Sequence, residues 1–597
     1  MDALQNILLS KEALKKKALL ATCEAAPSPQ IDIGPIEKAA VTNDICIGKD
    51  VFNDVELVSS YTGASDQTVM SSIDNTQLLA SKPFLETLLV NPIDDTVVLK
   101  KRQALLKTLK GSSQRITSIL ENMKQHECDV AWLYSHKDEE VGLLYDMVYF
   151  TNVFMKPLNN IDYALTSYNV YRIVLSPLLG LFTPIIYFII PYFVFRLKLG
   201  VDMGFVNYLK LMFKGIFSGG ALGSMFPKMA YLSTAFSLVF YFQGLFNSVE
   251  VAKACYKICK LITNRMNGVA NFMASAKELF DLSWDPQMGK VFFSEPNSCE
   301  DAIKHSLARF TIFSNFGQSL QQFKTLDTEN TMKIIRRACI IDTLNSIATL
   351  QISAGFTFAN YITPTNPNPA PKPQPTITIK GIWHPSLKAV VKNDILLENK
   401  SLILTGPNAG GKSTLIKSIL ISILFSQTIT VVNANQLDLT PFAFISSQIN
   451  IPDCKGKESL FEAEMNRSKE NLEMLQKQKD KPSIIFMDEI FNSTNPVEGI
   501  AGAYAIAKNM SNFANTMLVC TTHYTYLTKL AKDLPDKFVN MKMNVRQPKN
   551  KKIEYPYKVS PGVSRQYIAL ELLKQNGFQS EIIEDALAIK ETLLRQK

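Results

Sequence analysis

The chain has 597 residues, too many for one hydrophobic core, so about three or four domains are expected. Apolar residues make up 46 % and charged residues 20 %, so most of the chain should fold, and the net charge of +9 fits a phosphate-rich partner, an anionic membrane or an ordinary solvated surface. The nine cysteines include no Cys-x-x-Cys pair and are scattered like the free thiols of an intracellular protein, with no sign of a disulfide framework.

From Met1 to Pro29 no secretory signal is found, because the apolar run after Lys15-Lys16-Lys17 is only a few residues long. This segment reads as a short amphipathic helix or a loose arm, and residues 1–70 as a whole form a poorly patterned N-terminal arm. Helical periodicity begins near Asn75 and runs through Thr108 and Lys124 to about Tyr168. It opens a helical domain expected over 71–362.

Inside that domain the character changes. Ile173 to Phe195 carries no charge, and neither does Met229 to Val249. Each is about as long as the ~20 residues that cross a ~30 Å hydrocarbon core. Residues 173–249 are therefore expected to form a transmembrane helical hairpin. Pro177, Pro184 and Pro191 are easier to accommodate in a membrane helix than in a soluble one. The connecting segment carries Arg196, Lys198, Lys210, Lys214 and Lys228 against Asp202, which conflicts with the positive-inside tendency for a full crossing. A re-entrant hairpin, with Asn207 to Phe217 lying on the surface, and a pair of buried core helices remain open beside it.

Amphipathic helices resume from Glu250 to about Ala359. Residues 363–376 form a proline-rich, semi-rigid linker around Pro364 to Pro375. Beyond it strands and helices alternate over 377–597, as in an α/β nucleotide-binding domain.

The chemistry begins here. The strand Leu402-Ile403-Leu404 runs into Gly406-Pro407-Asn408-Ala409-Gly410-Gly411-Lys412-Ser413-Thr414, and a helical pattern follows. Gly, four residues, Gly-Lys-Ser between a strand and a helix is the phosphate-loop pattern. The glycines let backbone amides turn inward around a phosphate, and the helix N-terminus adds partial positive charge. Lys412 is expected to reach the β- and γ-phosphates of ATP, and Ser413 to bind Mg²⁺. A second strand, Ser483 to Met487, ends in Asp488-Glu489. Asp488 can hold the metal through water, and Glu489 can orient the attacking water as general base. A third strand, Thr516 to Cys520, leads to Thr521-Thr522-His523, which places His523 within reach of the γ-phosphate.

The loop Thr405 to Thr414 closely resembles that of the MutS family, which normally has Met where Ala409 stands. His384-Pro385 and Asn393-Asp394-Ile395 resemble that family's entry to its ABC-type ATPase. Glu458-Ser459 to Glu464-Met465 resembles its signature segment, which implies that Ser459 reaches the ATP of the opposite subunit. Ser493-Thr494 to Glu498-Gly499 is similar to the loop that crosses the dimer interface, and Tyr555 to Phe578, with Pro561-Gly562-Val563-Ser564 and Gly577, to the C-terminal dimerisation segment. Asn91-Pro92-Ile93-Asp94, followed by Lys101-Arg102-Gln103, resembles the start of the helical core or lever, and Ile341 to Ala348 its end.

Three departures from the family stand out. The mismatch-reading domain is expected to be absent, since only about 70 residues precede the core and they hold no Phe-x-Glu. Phe84-Leu85-Glu86 and Phe293-Ser294-Glu295 have that tripeptide but fall in helical-core regions. The lever carries the two apolar stretches where a DNA clamp normally sits. Val390 stands where some members have an aromatic that stacks on adenine, a role Tyr557 can take instead.

The resemblance implies a multidomain chain: an α-helical core and lever, then an α/β P-loop ATPase that uses ATP and Mg²⁺ as a homodimer or MutS-like heterodimer. Two functions follow. One is a DNA-binding ATPase of mismatch repair or recombination, with doubtful mismatch specificity. The other is a membrane-anchored ATPase that uses the same dimer engine without mismatch recognition. Either is expected inside the cell and at a membrane, with its ATPase in the cytosol.

Overall fold

The computed structural model describes residues 31–36, 45–61, 63–135, 145–198, 200–218, 227–294, 300–310, 312–353, 355–362, 375–450, 459–478, 481–546, 553–564 and 569–595. Met1 to Pro29, the linker between 363 and 374, and Glu458 lie outside these described residues. The chain divides into two compact units: residues 1–32, 119–278 and 298–335 in one, and 33–118, 279–297 and 336–597 in the other.

The helices that matter below are α1 (Thr96–Lys110), α2 (Ser176–Phe193), α3 (Pro227–Ser283), α4 (Thr328–Ser353), α5 (Lys412–Gln427), α6 (Leu460–Lys477) and α7 (Pro496–Met510). Their ends follow from local chemistry. Asp95 caps α1 by accepting from the Val97 and Val98 amides, and Lys107 and Lys110 sit at its negative end. Asn495 caps α7, whose first residue is Pro496, where a missing N–H costs nothing.

In the first unit, α3 turns Cys255, Ile258, Cys259, Ile262 and Met266 inward at helical spacing. Trp132 is fully buried there, with the ring of Phe323 at 5.6 Å. Arg265 of α3 pairs with Asp129 at 2.7 Å.

The expected transmembrane hairpin is not found. Among the described residues no helix is long and apolar enough to cross a membrane. The regular helix of the first apolar stretch, α2, has 18 residues and lies between wide π-type turns, Tyr171–Leu175 and Val194–Lys198, the second carrying Arg196 and Lys198. The second stretch is the opening of the 57-residue α3, which becomes charged from Glu250 onward. Nor is α2 a buried core helix, because Leu178, Leu179, Ile190 and Phe193 are exposed. The membrane-bound reading therefore has no spanning helix to rest on among the described residues.

The second unit is built on a sheet. Its strands are β1 (Cys46–Ile47), β2 (Asn360–Tyr361), β3 (Thr376–Ile382), β4 (Asn393–Glu398), β5 (Ser401–Thr405), β6 (Gln436–Leu439), β7 (Phe444–Gln448), β8 (Ser483–Asp488), β9 (Thr516–Thr522), β10 (Phe538–Met543) and β11 (Val559–Pro561). Seven of them form one sheet in the order β1-β7-β8-β9-β5-β10-β11, parallel except for β11. A smaller sheet has the order β2-β6-β3-β4. β5 and β9 are buried along their whole length, as strands covered on both faces must be, which is why they read as unbroken apolar runs. The described part of the N-terminal arm contributes β1, an edge strand laid parallel to β7.

The helical part of this unit is tied to the sheet by buried polar groups. Arg102 of α1 is 1 % exposed. It donates to the carbonyls of Val291 (3.1 Å) and Thr428 (2.6 Å) and lies over the Phe292 ring. Phe84 and Phe293, the aromatics of the two Phe-x-Glu tripeptides, are buried edge to face at 5.2 Å. Asp342 of α4, 1 % exposed, accepts from the Gln77 and Leu78 amides at 2.9–3.1 Å.

Asp342→Ala would leave the buried Leu78 amide and the half-buried Gln77 amide without an acceptor, at a cost of roughly 2–4 kcal/mol, read by thermal or denaturant unfolding. Burial pushes the Asp342 carboxyl up to about 7, so the folded chain holds this proton more tightly than the unfolded one. Its contribution is then fully present below the ordinary carboxylate range and is lost as pH rises through about 7. Asp342→Asn should flatten that part of the stability profile.

Candidate active site

In a parallel α/β sheet, loops at the carboxyl ends of the strands converge, and ligands bind there. β9 lies between β5 and β8. The segments after these three strands are Gly406 to Lys412, Thr522-His523 and Asp488-Glu489, and the fold brings them together.

The phosphate loop turns through residues of left-handed backbone, Ala409 (φ 62°) and Gly411 (φ 89°). Gly411 is required, because a Cβ there would also sit 3.1 Å from Cδ1 of Tyr557. Helix α5 follows, with 13 of its 16 residues buried, so it is apolar all round and encased.

Lys412 opens that helix and is 4 % exposed. Its Nζ lies 3.3 Å from the Pro407 carbonyl, 3.0 Å from His523 Nε2 and 3.5 Å from Glu489 Oε1. His523 Nε2 is 2.7 Å from the same Glu489 oxygen. Burial lowers the pKa of Lys412, with Glu489 and Asp488 opposing it. The hydrogen bond from His523 holds the Glu489 carboxyl below the usual range, and Lys412 adds to this. Glu489 is thus ionised at neutral pH, as a general base must be.

A cavity of about 520 Å³ opens over Lys412 and Glu489, and His523 and Asp488 are not among its lining residues. Pro407, Asn408, Ala409, Gly411, Lys412, Ser413, Thr414, Glu489 and Tyr557 all line it, while Gly406 and Gly410 shape the turn behind. Its other wall holds Trp383, His384, Val390 and Asn393. Burial, reinforced by Lys417, pushes His384 down to about 4, so this wall is uncharged at neutral pH. Val390 and Tyr557 are both about half exposed into this space, and Tyr555 stacks on Tyr557 at 6.2 Å. Asn393 fixes the backbone at Tyr557, donating to its carbonyl (3.0 Å) and accepting from the Val559 amide (2.9 Å).

Asp488 joins the cluster through Thr521, a residue the motif reading passed over. The Thr521 hydroxyl donates to Asp488 Oδ1 and accepts from the Glu489 amide at 3.2 Å. Asn492, also missed, donates to Glu489 Oε2 at 2.9 Å. Glu489 and Phe491 both have left-handed backbone (φ 52° and 56°). The turn is held by Tyr524, whose hydroxyl donates to the Phe491 carbonyl at 3.0 Å. Thr521 stands two residues before His523 and Asn492 three after Glu489, so proximity in sequence was the signal available.

Ser459 is placed apart. It is not among the residues lining the cavity; instead it caps α6, its hydroxyl accepting from the Glu462 amide at 3.2 Å. Phe461, two residues on, meets the Phe491 ring at 5.5 Å.

Residues 402–594 match the model of MutS domain V. Those residues are therefore similar to the fifth domain of MutS proteins. A DNA mismatch repair protein MutS of Pseudothermotoga lettingae is 28 % identical over 261 residues, 42 % of this chain and 30 % of the relative. The DNA mismatch repair protein MSH3 of Candida albicans is 29 % identical over 297 residues, 46 % of this chain and 27 % of the relative. For MSH2 of Zea mays the figures are 25 % over 341 residues, 54 % and 33 %. The chain therefore spans about a third of the length of the curated relatives it matches.

Proposed function

We propose that this chain is a Mg²⁺-dependent ATPase that works as a dimer on DNA. The observation that carries the reading is the meeting of Lys412, Glu489 and His523 at the carboxyl ends of three neighbouring strands, under a cavity walled by a phosphate loop. Lys412 is a buried cation that a phosphate would satisfy. Ser413 and Asp488 are hard oxygen donors that suit Mg²⁺, which usually takes one or two protein oxygens and completes its shell with phosphate and water. Bound Mg²⁺ would neutralise charge on the phosphates. Thr521 keeps Asp488 and Glu489 in register. Glu489, ionised and held from both sides by His523 and Asn492, would take the proton of an attacking water. The uncharged wall with Trp383, His384 and Tyr557 suits a purine ring. The use of ATP favours an intracellular location.

Lys412→Ala should abolish nucleotide binding. Glu489→Gln should bind ATP normally and lose hydrolysis by about 10²-fold or more, measured by phosphate release. Normal turnover in Glu489→Gln would remove Glu489 from the role of base.

Each monomer holds two half-sites in this reading, because Ser459 lies off its own cavity and is presented at a helix start. Exposed apolar residues at the C-terminus, Phe578 in a loop and Ile582, Leu587 and Ile589 on the helix Ser580–Arg595, support pairing there. Mixing Lys412→Ala chains with Ser459→Arg chains should restore activity that neither has alone. Heterodimers that stay inactive would contradict a shared site.

The matched relatives are named as DNA mismatch repair proteins, which supports DNA as the partner. The aromatics of both Phe-x-Glu tripeptides are locked in the core, so neither can wedge into a base stack. Affinity for matched and mismatched duplexes should be equal at one fixed salt concentration, and should fall steeply as salt rises. A preference for the mismatch above about tenfold, or about 1.4 kcal/mol, would require a reader elsewhere.

A further inference from the structure

A segment of the N-terminal arm makes contacts that the ATPase chemistry above does not use. Asp54, whose side chain is wholly buried, sits beyond the end of β7. Its carboxylate accepts from Ser447 Oγ (2.7 Å), the Ile449 amide (3.0 Å) and the Asn450 amide (3.2 Å). On its other side stands Arg467 of α6, with Nη2 2.9 Å from Asp50 and Nη1 3.8 Å from Asp54. Next to it Gly48 passes so close to β7 that a Cβ would meet Ser446 Oγ at 2.6 Å, so the arm is pressed onto the strand. Strand and helix are also joined directly, by Ser446 to Asn471 (2.6 Å) and Ser468 to Gln448 (3.1 Å).

The geometry is specific about what is being held. Ile449 and Asn450 end the described strand region, and Ser459 begins the next described segment, at the N-cap of α6. One carboxylate therefore grips the chain before the 451–458 connection directly, and the helix after it through Arg467. Arg467 stands eight residues into the helix from Ser459, about 12 Å along its axis at about 1.5 Å per residue. A guanidinium offers two arms in one plane, so it can bridge Asp50 and Asp54 and fix the rotation of α6 as well as its position. Nη1 faces Asp54 as an ion pair at 3.8 Å, and the Asp50 contact at 2.9 Å is the tighter of the two.

We infer that Asp54 and Arg467 are positioning residues for Ser459: the arm 46–54 sets the place and angle at which α6 presents its N-terminal serine to the ATP site of a second copy of this chain. This rests on the reading that Ser459 acts on the partner's site. The pair touches neither Lys412 nor Glu489 of its own chain, so its loss should leave that chain's own nucleotide pocket intact and spoil the pocket of its neighbour.

The test uses full-length protein carrying Arg467→Met, with Asp50→Asn as a milder variant at a half-exposed position that does not endanger folding. ATP affinity should stay within about twofold of the parent while kcat falls about tenfold for Arg467→Met, and less for Asp50→Asn. The deciding measurement mixes Arg467→Met chains with Lys412→Ala chains. In the mixed dimer, the intact phosphate loop of the first faces the well-placed Ser459 of the second, so activity should rise well above that of either parent. Ser459→Arg mixed with Lys412→Ala runs beside it. Recovery in the Ser459 mixture without recovery in the Arg467 mixture would overturn the positioning role, since the defect would then lie in the chain's own site or fold. Failure of both mixtures would overturn the shared site itself, and this inference with it. Wild-type turnover by Arg467→Met would also sink it.

Discussion

A buried ammonium group has to be compensated, and the site is organised around that requirement at Lys412. The lysine is pinned at the start of α5 because β5 and the phosphate loop deliver it there. Its compensation comes from Glu489, which arrives from a different strand and is steadied by His523 from a third. None of the three could hold its position if the order β8-β9-β5 changed. The parallel sheet is thus the means by which three distant stretches of sequence share one charge balance. An anion would enter a site whose positive charge is already in place beside a carboxylate already ionised.

The support around this centre is mostly uncharged. Thr521 and Asn492 set the two acids by hydrogen bonds, and Asn393 secures the backbone that carries Tyr557. Such neutral clamps fix geometry without disturbing the charge on Glu489. Left-handed backbone at Glu489 and Phe491 is the cost of aiming that carboxylate, and it is sustained by close packing: glycines at 499 and 502 leave room for Phe491 where any side chain would collide.

Much of this centre was legible in the sequence because its chemistry is local. A glycine-rich turn needs contiguous glycines, and an acid at a strand end needs an apolar run before it. The same logic failed at Asp54, which works on residues nearly four hundred positions away. No period or motif announces such a contact, and a short edge strand of two residues in a polar arm leaves no pattern. The apolar stretches misled for a related reason. Hydropathy reports what a segment could bury. It does not report where regular helix stops, and the turns at Tyr171–Leu175 and Val194–Lys198 interrupt the first stretch.

Arg102 leads to a further consequence. Its guanidinium, wholly enclosed, bonds the carbonyl of Thr428, the residue that ends α5. The aligned peptides of that helix leave a deficit of electrons at Lys412 and an excess at Thr428. The excess meets a fixed cation in the interior. One helix is thereby wired between two terminals: an anion brought to its start would be answered, through about four turns of peptide dipoles, by a charge that solvent cannot screen.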